Sequence, residues 1–212
     1  MAFALWALHT CVFGRYSVTP RLALISPVRG CGKTTALILL EALVSDPYRS
    51  DHVTAAAVYH TLAGREHTLL LDEGDNLGLL NNPGLRAVFN ARHRRGGAIS
   101  RFIGGRPRKL SVFAPLAVAA IGTLPLPLMH RAVVVSMQRH AQNTAPLEQL
   151  DEHDPRLAAS RVEIQKWAAT CTLAREPEMP PGLHNRAADN WRVLLAIADD
   201  LGHSRSCADV QR

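Results

Sequence analysis

The sequence predicts an α/β fold in which helices flank a parallel sheet and a small helical lid follows at the C-terminus. Three observations carry this prediction. Residues 22–25, 67–73 and 115–121 contain continuous apolar runs of strand length without the polar alternation of a half-solvated strand, the pattern of strands covered on both faces. Between them, Leu37, Leu40 and Val44, then Leu85, Val88 and Phe89, recur at helical spacing. After Arg139 the composition turns polar (HAQNTAPLEQLDEHD), which separates a core at 1–140 from a lid and tail at 141–212.

Taken in order, residues 2–13 carry Phe3, Trp6, Ala7 and Thr10 at helical spacing and predict a helix over one face of the sheet. This apolar start is too short to span a bilayer and has neither a basic leader nor a small-residue cleavage site, so it reads as a buried helix of a cytoplasmic protein. Residues 21–35, RLALISPVRGCGKTT, follow. A strand, a glycine-containing loop and a helix start in that order are the context of a phosphate-binding P-loop. Successive backbone N–H groups of residues 28–34 and the helix N-terminus can converge on an anion with no side chain in the way. Gly30, Cys31 and Gly32 would form the cradle, Lys33 would reach the β- and γ-phosphates of ATP, Thr34 would give its hydroxyl to Mg²⁺, and Thr35 would touch the α-phosphate. The usual G-x-x-x-x-G-K-[ST] pattern has Gly where this chain has Pro27. Pro27 fixes φ at the strand exit and leaves the contacts to Gly32, Lys33 and Thr34.

Residues 51–53 read as a very short strand and Thr54 as the N-cap of a helix ending near Gly64. The run at 67–73 then brings Asp72 and Glu73 to a strand end, the Walker B position downstream of a P-loop. Asp72 would hold Mg²⁺ through water, and Glu73 would orient or deprotonate the water that attacks the γ-phosphate. Asn82 and Pro83 form an N-cap and first-turn pair. Residues 98–103 and 108–113 are strand-like and flank Gly104, Gly105, Arg106 and Pro107, which predicts a β-hairpin with a basic tip. Arg101, Arg106, Arg108 and Lys109 are its expected DNA contacts.

The strand at 115–121 ends at Gly122 and Thr123, where Thr123 is placed to touch the γ-phosphate or the attacking water. Arg131 opens a further strand at 132–137 and is read as an arginine finger that reaches a neighbouring subunit's nucleotide. Asp154 and Pro155 start a helix through about Cys171, and Ala187, Trp191, Leu194, Leu195 and Ala198 share one side of another. Both are expected to cover the nucleotide, with Arg186 or Arg192 as the lid's phosphate sensor.

A chain of 212 residues, 47% hydrophobic and 20% charged, accommodates one globular α/β domain with a small appendix and is not a disordered one. The net charge of +6 points to an acidic partner, and its placement is informative: no acid lies between Asp75 and Glu148, where ten Arg and Lys residues fall. Cys11, Cys31, Cys171 and Cys207 are scattered, which indicates neither a zinc site nor a disulfide framework and fits a reducing compartment.

P-loop, acidic strand end, basic hairpin, sensor strand, edge arginine and helical lid, in that order, resemble an AAA+-type ATPase. The hairpin before the sensor strand is similar to that of viral superfamily 3 helicases and of replicative helicases of the minichromosome-maintenance type. The stretches ISPVRGCGKTT, LLLDEGDN, ARHRRGGAISR, HRAVVVSMQR and MPPGLHNRAADNWR resemble an uncharacterised family of bacterial and phage P-loop domains found with primase modules in mobile-element replication proteins. That resemblance spans residues 5–199. It implies ATP and Mg²⁺ as ligands, a homo-oligomer, single-stranded DNA and a primase module or protein as partners, and no membrane. Two departures stand out: His130 replaces an acid before the edge arginine, and the chain begins at the domain boundary without a primase module. Two other functions fit the same residues, a nucleotide-dependent switch or small-molecule kinase without DNA, and a non-hydrolysing remnant that binds nucleotide or a replication partner.

Overall fold

Apolar strands with no polar face are stable only between two layers of helices, and this chain builds that arrangement. The computed structural model describes residues 1–50, 66–75, 82–141 and 147–202. Its elements are α1 (Ala2–Val12) with a 3₁₀ turn (Phe13–Arg15), β1 (Arg21–Ser26), α2 (Lys33–Leu43), β2 (Pro47–Ser50), β3 (Thr68–Leu71) and α3 (Pro83–Ala91). There follow β4 (Ala98–Ile103), β5 (Arg106–Ser111), β6 (Leu116–Ile121), α4 (Leu126–Met129), β7 (Ala132–Ser136), α5 (Pro155–Thr170) and α6 (Asn185–Asp200). The expected strand at 51–53 and the helix from Thr54 lie outside the described residues. A strand that the sequence does not signal forms just before them, at β2.

Five strands pair in the order β2-β3-β6-β1-β7, all parallel. Period-two alternation sends Leu22 and Leu24 of β1 to one face and Ala23 to the other. The first face packs against Trp6 of α1, Leu37 and Leu40 of α2 and Val193, Leu194 and Ile197 of α6. The second packs against Leu85, Val88 and Phe89 of α3 and Leu128 of α4. Helix α1 is buried on more than one side: Leu5, Trp6, Ala7, His9, Thr10 and Val12 are all buried, as an almost wholly apolar helix requires. Trp6 Nε1 is satisfied by the Pro20 carbonyl at 2.8 Å.

The two C-terminal helices pack on α1 and α2, and the buried side of α6 joins the main core. Arg15 donates to the Ala168 and Cys171 carbonyls at the end of α5, and Trp167 Nε1 donates to Asp200 at 2.8 Å. These helices belong to the layer over the sheet.

The hairpin forms with a shorter tip than expected. Gly104 and Gly105 both have positive φ, +59° and +74°, so a two-residue turn closes it and β5 begins at Arg106. Pro107 lies opposite Phe102, one pair beyond the turn, where the inter-strand hydrogen bonds skip a pair and its missing N–H costs nothing. Val112 and Phe113, expected in the second strand, turn inward and are buried with Ala114.

Two histidines are buried uncharged. His9 and His93 both have pKa values lowered from 6.5 to about 3, chiefly by burial and, for His93, by the charges of Arg21, Arg131 and Arg94 as well. His9 Nε2 meets Thr19 Oγ1 at 3.1 Å, and His93 Nδ1 meets the Thr19 carbonyl at 3.1 Å. The folded-state pKa lies below the unfolded one, so this stability is present above pH 6.5 and is lost as pH falls toward 3. Denaturant unfolding should give a stability about 4 kcal/mol lower at pH 5 than at pH 7 from these two groups. A flat profile over that interval would contradict their burial in neutral form.

Candidate functional site

In a parallel sheet all carboxyl ends lie on one side, and ligands bind outside those ends where connections leave in opposite directions. Here β1 connects through α2 toward β2 at one edge, whereas β6, its neighbour, connects to β7 at the other. The cleft at that point is about 430 Å³ and is lined by residues 29–35, Asp72, Glu73, Asp75 and Ile121. This lies within the range of small-molecule sites, whereas the cavity between α3 and α4, at Arg86, Phe89 and Leu128, holds only about 40 Å³.

The loop from β1 to α2 is shaped by Gly30 and Gly32. Gly32 is the N-cap of α2 with φ +77°, a conformation that a side chain would strain, and no side chain caps the helix. The first intrahelical bond runs from Ala36 N to Gly32 O, so the N–H groups ahead of it remain for an anion. Lys33 Nζ donates to Ser26 Oγ at 2.6 Å, and Ser26 passes its own proton to the Val28 carbonyl at 2.7 Å. Ser26 thus holds the lysine along the loop, a role with no motif to announce it. Cys31 is buried with its thiol on the Val28 carbonyl, so it contributes to the cleft through its backbone.

Across the cleft, Thr34 Oγ1 donates to Asp72 Oδ2 at 2.7 Å, which joins the helix start to the end of β3. Asp72 Oδ1 accepts from the Glu73 N–H at 2.8 Å. Glu73 has φ +50°, sparsely populated for a residue with a side chain and a form of local strain common at functional sites. Gly74 follows because the chain runs against β6: its N–H bonds the Ala119 carbonyl at 2.7 Å, and a Cβ there would stand 2.4 Å from Val118 Cγ1. Asp75 then accepts from Ile121 N at 3.0 Å, fixing the acidic turn to the end of β6. Among the described residues no group of three or more His, Cys, Asp or Glu side chains can hold a metal, so a cation here would be held by Thr34, Asp72 and its ligand's own oxygens.

Gly30, Cys31, Gly32, Lys33, Thr34, Thr35, Asp72 and Glu73 thus come together around one cleft, as expected from their order along the chain. Arg139 stands behind the loop unannounced: its Nε donates to the Arg29 carbonyl at 2.9 Å and would stand 3.5 Å from a Cβ on Gly30. Thr123 is exposed just beyond Gly122 and is not among the lining residues.

Arg131 and Arg186 stand at the opposite end of the sheet. Arg131 precedes β7, bonds the Pro127 carbonyl and has its pKa lowered by burial and by the neighbouring charge of Arg186. Five strand residues separate it from the carboxyl end of β7, roughly 17 Å. Arg186, expected as a sensor over the cleft, is therefore the neighbour of Arg131, and Arg192 pairs with Glu176 and Asp189. No residue of α5 or α6 is among those lining the cleft.

The hairpin also leaves from that opposite end, ahead of β6. Arg106, Arg108 and Lys109 are exposed and make no ion pair among the described residues. Arg106 and Arg108 share a face, and Arg101 lies opposite Arg108 in register. Phe102, 79% exposed, is an aromatic that the basic pattern does not flag. Much of the remaining acid-free stretch has structural work: Arg92 is buried, Arg94 pairs with Asp189, and Arg95 bonds the Gly14 and Tyr16 carbonyls and stacks over Phe113.

Among the described residues no helix is long and apolar enough to cross a membrane. No curated protein matches the chain. Residues 136–205, from the end of β7 through α5 and α6, match a family model described as "Protein of unknown function (DUF3631)", so this segment, which contains Arg139 and Arg186 but not the loop or Asp72, is similar to a domain of unknown function.

Proposed function

We propose that the protein is a Mg²⁺-dependent P-loop ATPase of the AAA+ kind that acts on single-stranded DNA in the replication of a phage or mobile element. The observation that supports it most is the bond between Thr34 and Asp72 across a cleft whose floor is an uncapped helix N-terminus carrying Lys33. A triphosphate on that N-terminus meets the backbone donors of the loop, and Lys33 turns from Ser26 toward its terminal phosphates. Thr34 and Asp72 would hold Mg²⁺, which supplies charge to the phosphate oxygens. Glu73, exposed at the mouth, accepts the proton of the attacking water. Arg139 adds a cation beside Gly30.

The hairpin supplies the DNA contact. Paired arginines neutralise backbone phosphates, and Phe102 offers a face on which a base can stack. Strand β6 runs from the hairpin's base to Ile121 in the cleft, giving a continuous element between DNA and nucleotide. Arg131, a strand length from its own cleft, acts on the nucleotide of an adjacent copy.

ATP hydrolysis by the purified chain, with and without single-stranded DNA, tests this reading. DNA-stimulated turnover is expected. Turnover indifferent to DNA, in a chain that sediments as a monomer with ATP, would favour the switch or kinase instead. DNA affinity should also fall steeply with salt, and the double variant Arg106→Ala, Arg108→Ala should flatten that dependence by about 1.4 units of log–log slope. An unchanged slope would remove the hairpin from the interface.

A further inference from the structure

Arg21 is 1% exposed, and none of its three guanidinium nitrogens has a hydrogen-bond partner among the described residues. Arg92 is fully buried beside it. Its Nη2 bonds the His67 and Pro115 carbonyls, but Nε and Nη1 have no partner. Guanidinium does not give up its proton in proteins, and a buried charge without a counter-ion is among the costliest features a fold can carry. The charges acting on Arg21 from nearby are those of Arg92 and Arg131, both of the same sign, and among the described residues no acid offsets them. Arg131 is half-buried and Arg186, its neighbour, is exposed. Arginines therefore lead from the surface to the buried Arg21 at the amino end of the sheet, one strand length from the cleft.

We infer that this end of the sheet is a second oxyanion site, in which Arg21, flanked by the buried Arg92 and the half-buried Arg131, receives a phosphate-class anion. The planar forks of Arg21 and Arg131 suit the paired oxygens of a phosphate. An anion seated there supplies the missing counter-charge and takes up donors that are otherwise unsatisfied. Two sources share this chemistry, free phosphate and the terminal phosphate of a nucleotide held by a second copy. The site rests on burial and missing partners, and only the second source rests on the function proposed above.

The test is a titration of inorganic phosphate at constant ionic strength, without Mg²⁺ or nucleotide, followed by ³¹P line width and by Tm. The proteins are the unmodified chain and, in a Lys33→Ala background that weakens phosphate binding at the loop, Lys33→Ala alone, with Arg131→Ala and with Arg21→Met. Saturable binding is expected in the unmodified chain and in Lys33→Ala, weakened about tenfold in Arg131→Ala, as the loss of one charge-assisted hydrogen bond gives. Arg21→Met should lose it altogether and, without phosphate, melt higher than the parent, because an uncompensated buried charge has been replaced by an apolar chain of similar length. Should Arg21→Met fail to fold, Arg131→Ala decides. Repetition with MgATP at concentrations that assemble the protein separates the sources: a response that depends on Arg131 only there assigns the site to the neighbour's phosphate. Phosphate binding lost in Lys33→Ala, or equal in all four proteins, or no Arg131-dependent response under either condition, would overturn the inference.

Discussion

Glu73→Gln should reduce ATP turnover by about 10²–10⁴-fold while leaving ATP affinity within a few-fold of the parent. The change keeps the shape of the side chain and removes its capacity to take a proton. Lys33, Thr34 and Asp72, which carry the proposed contacts to MgATP, are untouched, so ground-state binding should survive. The backbone of Glu73 is held at φ +50° between the Asp72 carboxylate, which its N–H caps, and Gly74, which is pinned to β6. Such positioning fixes where the carboxylate starts and makes its loss specific to the chemical step. Rapid-quench turnover beside equilibrium binding separates the two quantities. A variant that hydrolyses ATP at the parental rate would take the general base away from Glu73.

Arg131→Ala should lower turnover by about 10³-fold or more, and mixing should rescue it. Arg131 lies before β7, whereas the cleft lies beyond the carboxyl ends of the same parallel sheet, so it cannot serve its own chain's nucleotide. An Arg131→Ala chain retains an intact cleft, and a Glu73→Gln chain retains an intact arginine. Assembled together, one supplies what the other lacks, and part of the activity should return. Two inactive proteins that stay inactive when mixed, in assemblies shown to contain both, would take Arg131 away from the neighbour's nucleotide.

The loop, the acidic strand end and the helix opening at Asn82 were legible because each joins an apolar period to a residue with one strong local preference. Asn82 caps α3 through the Leu85 N–H at 3.0 Å with Pro83 in the first turn, as its dipeptide signals. Strand β2 was not legible: Pro47–Ser50 is an edge strand with no buried residue, and its pattern is that of a loop. The hairpin was foreseen, yet its tip was read as four residues, because Arg106 and Pro107 resemble turn chemistry when the pairing pattern that tolerates Pro107 is unseen.

The apolar sides of the C-terminal helices were visible, but periodicity does not say what a side packs against. Residues 193–198 of α6 are buried without a break, and all but Leu195 join the core between α1 and the sheet. Arg186 moves with them, away from the cleft to the side of Arg131. The buried arginines were the least legible. Charge pattern places arginine on a surface, and only three-dimensional burial distinguishes Arg21 and Arg92 from Arg106 and Arg108. Asp75 lines the cleft, and Ser26 and Arg139 bond residues that line it, from three different strand ends, a convergence created by the parallel sheet and absent from any local window of sequence.

Equilibrium binding of ATP, with and without Mg²⁺, to the unmodified chain and to Lys33→Ala tests the central claim most directly. The account requires saturable, Mg²⁺-strengthened binding that Lys33→Ala weakens by about 10²-fold, the scale of a lost charge-assisted contact to phosphate. No saturable binding by the unmodified chain, or equal binding by Lys33→Ala, would contradict it and leave the cleft at residues 29–35 without a nucleotide.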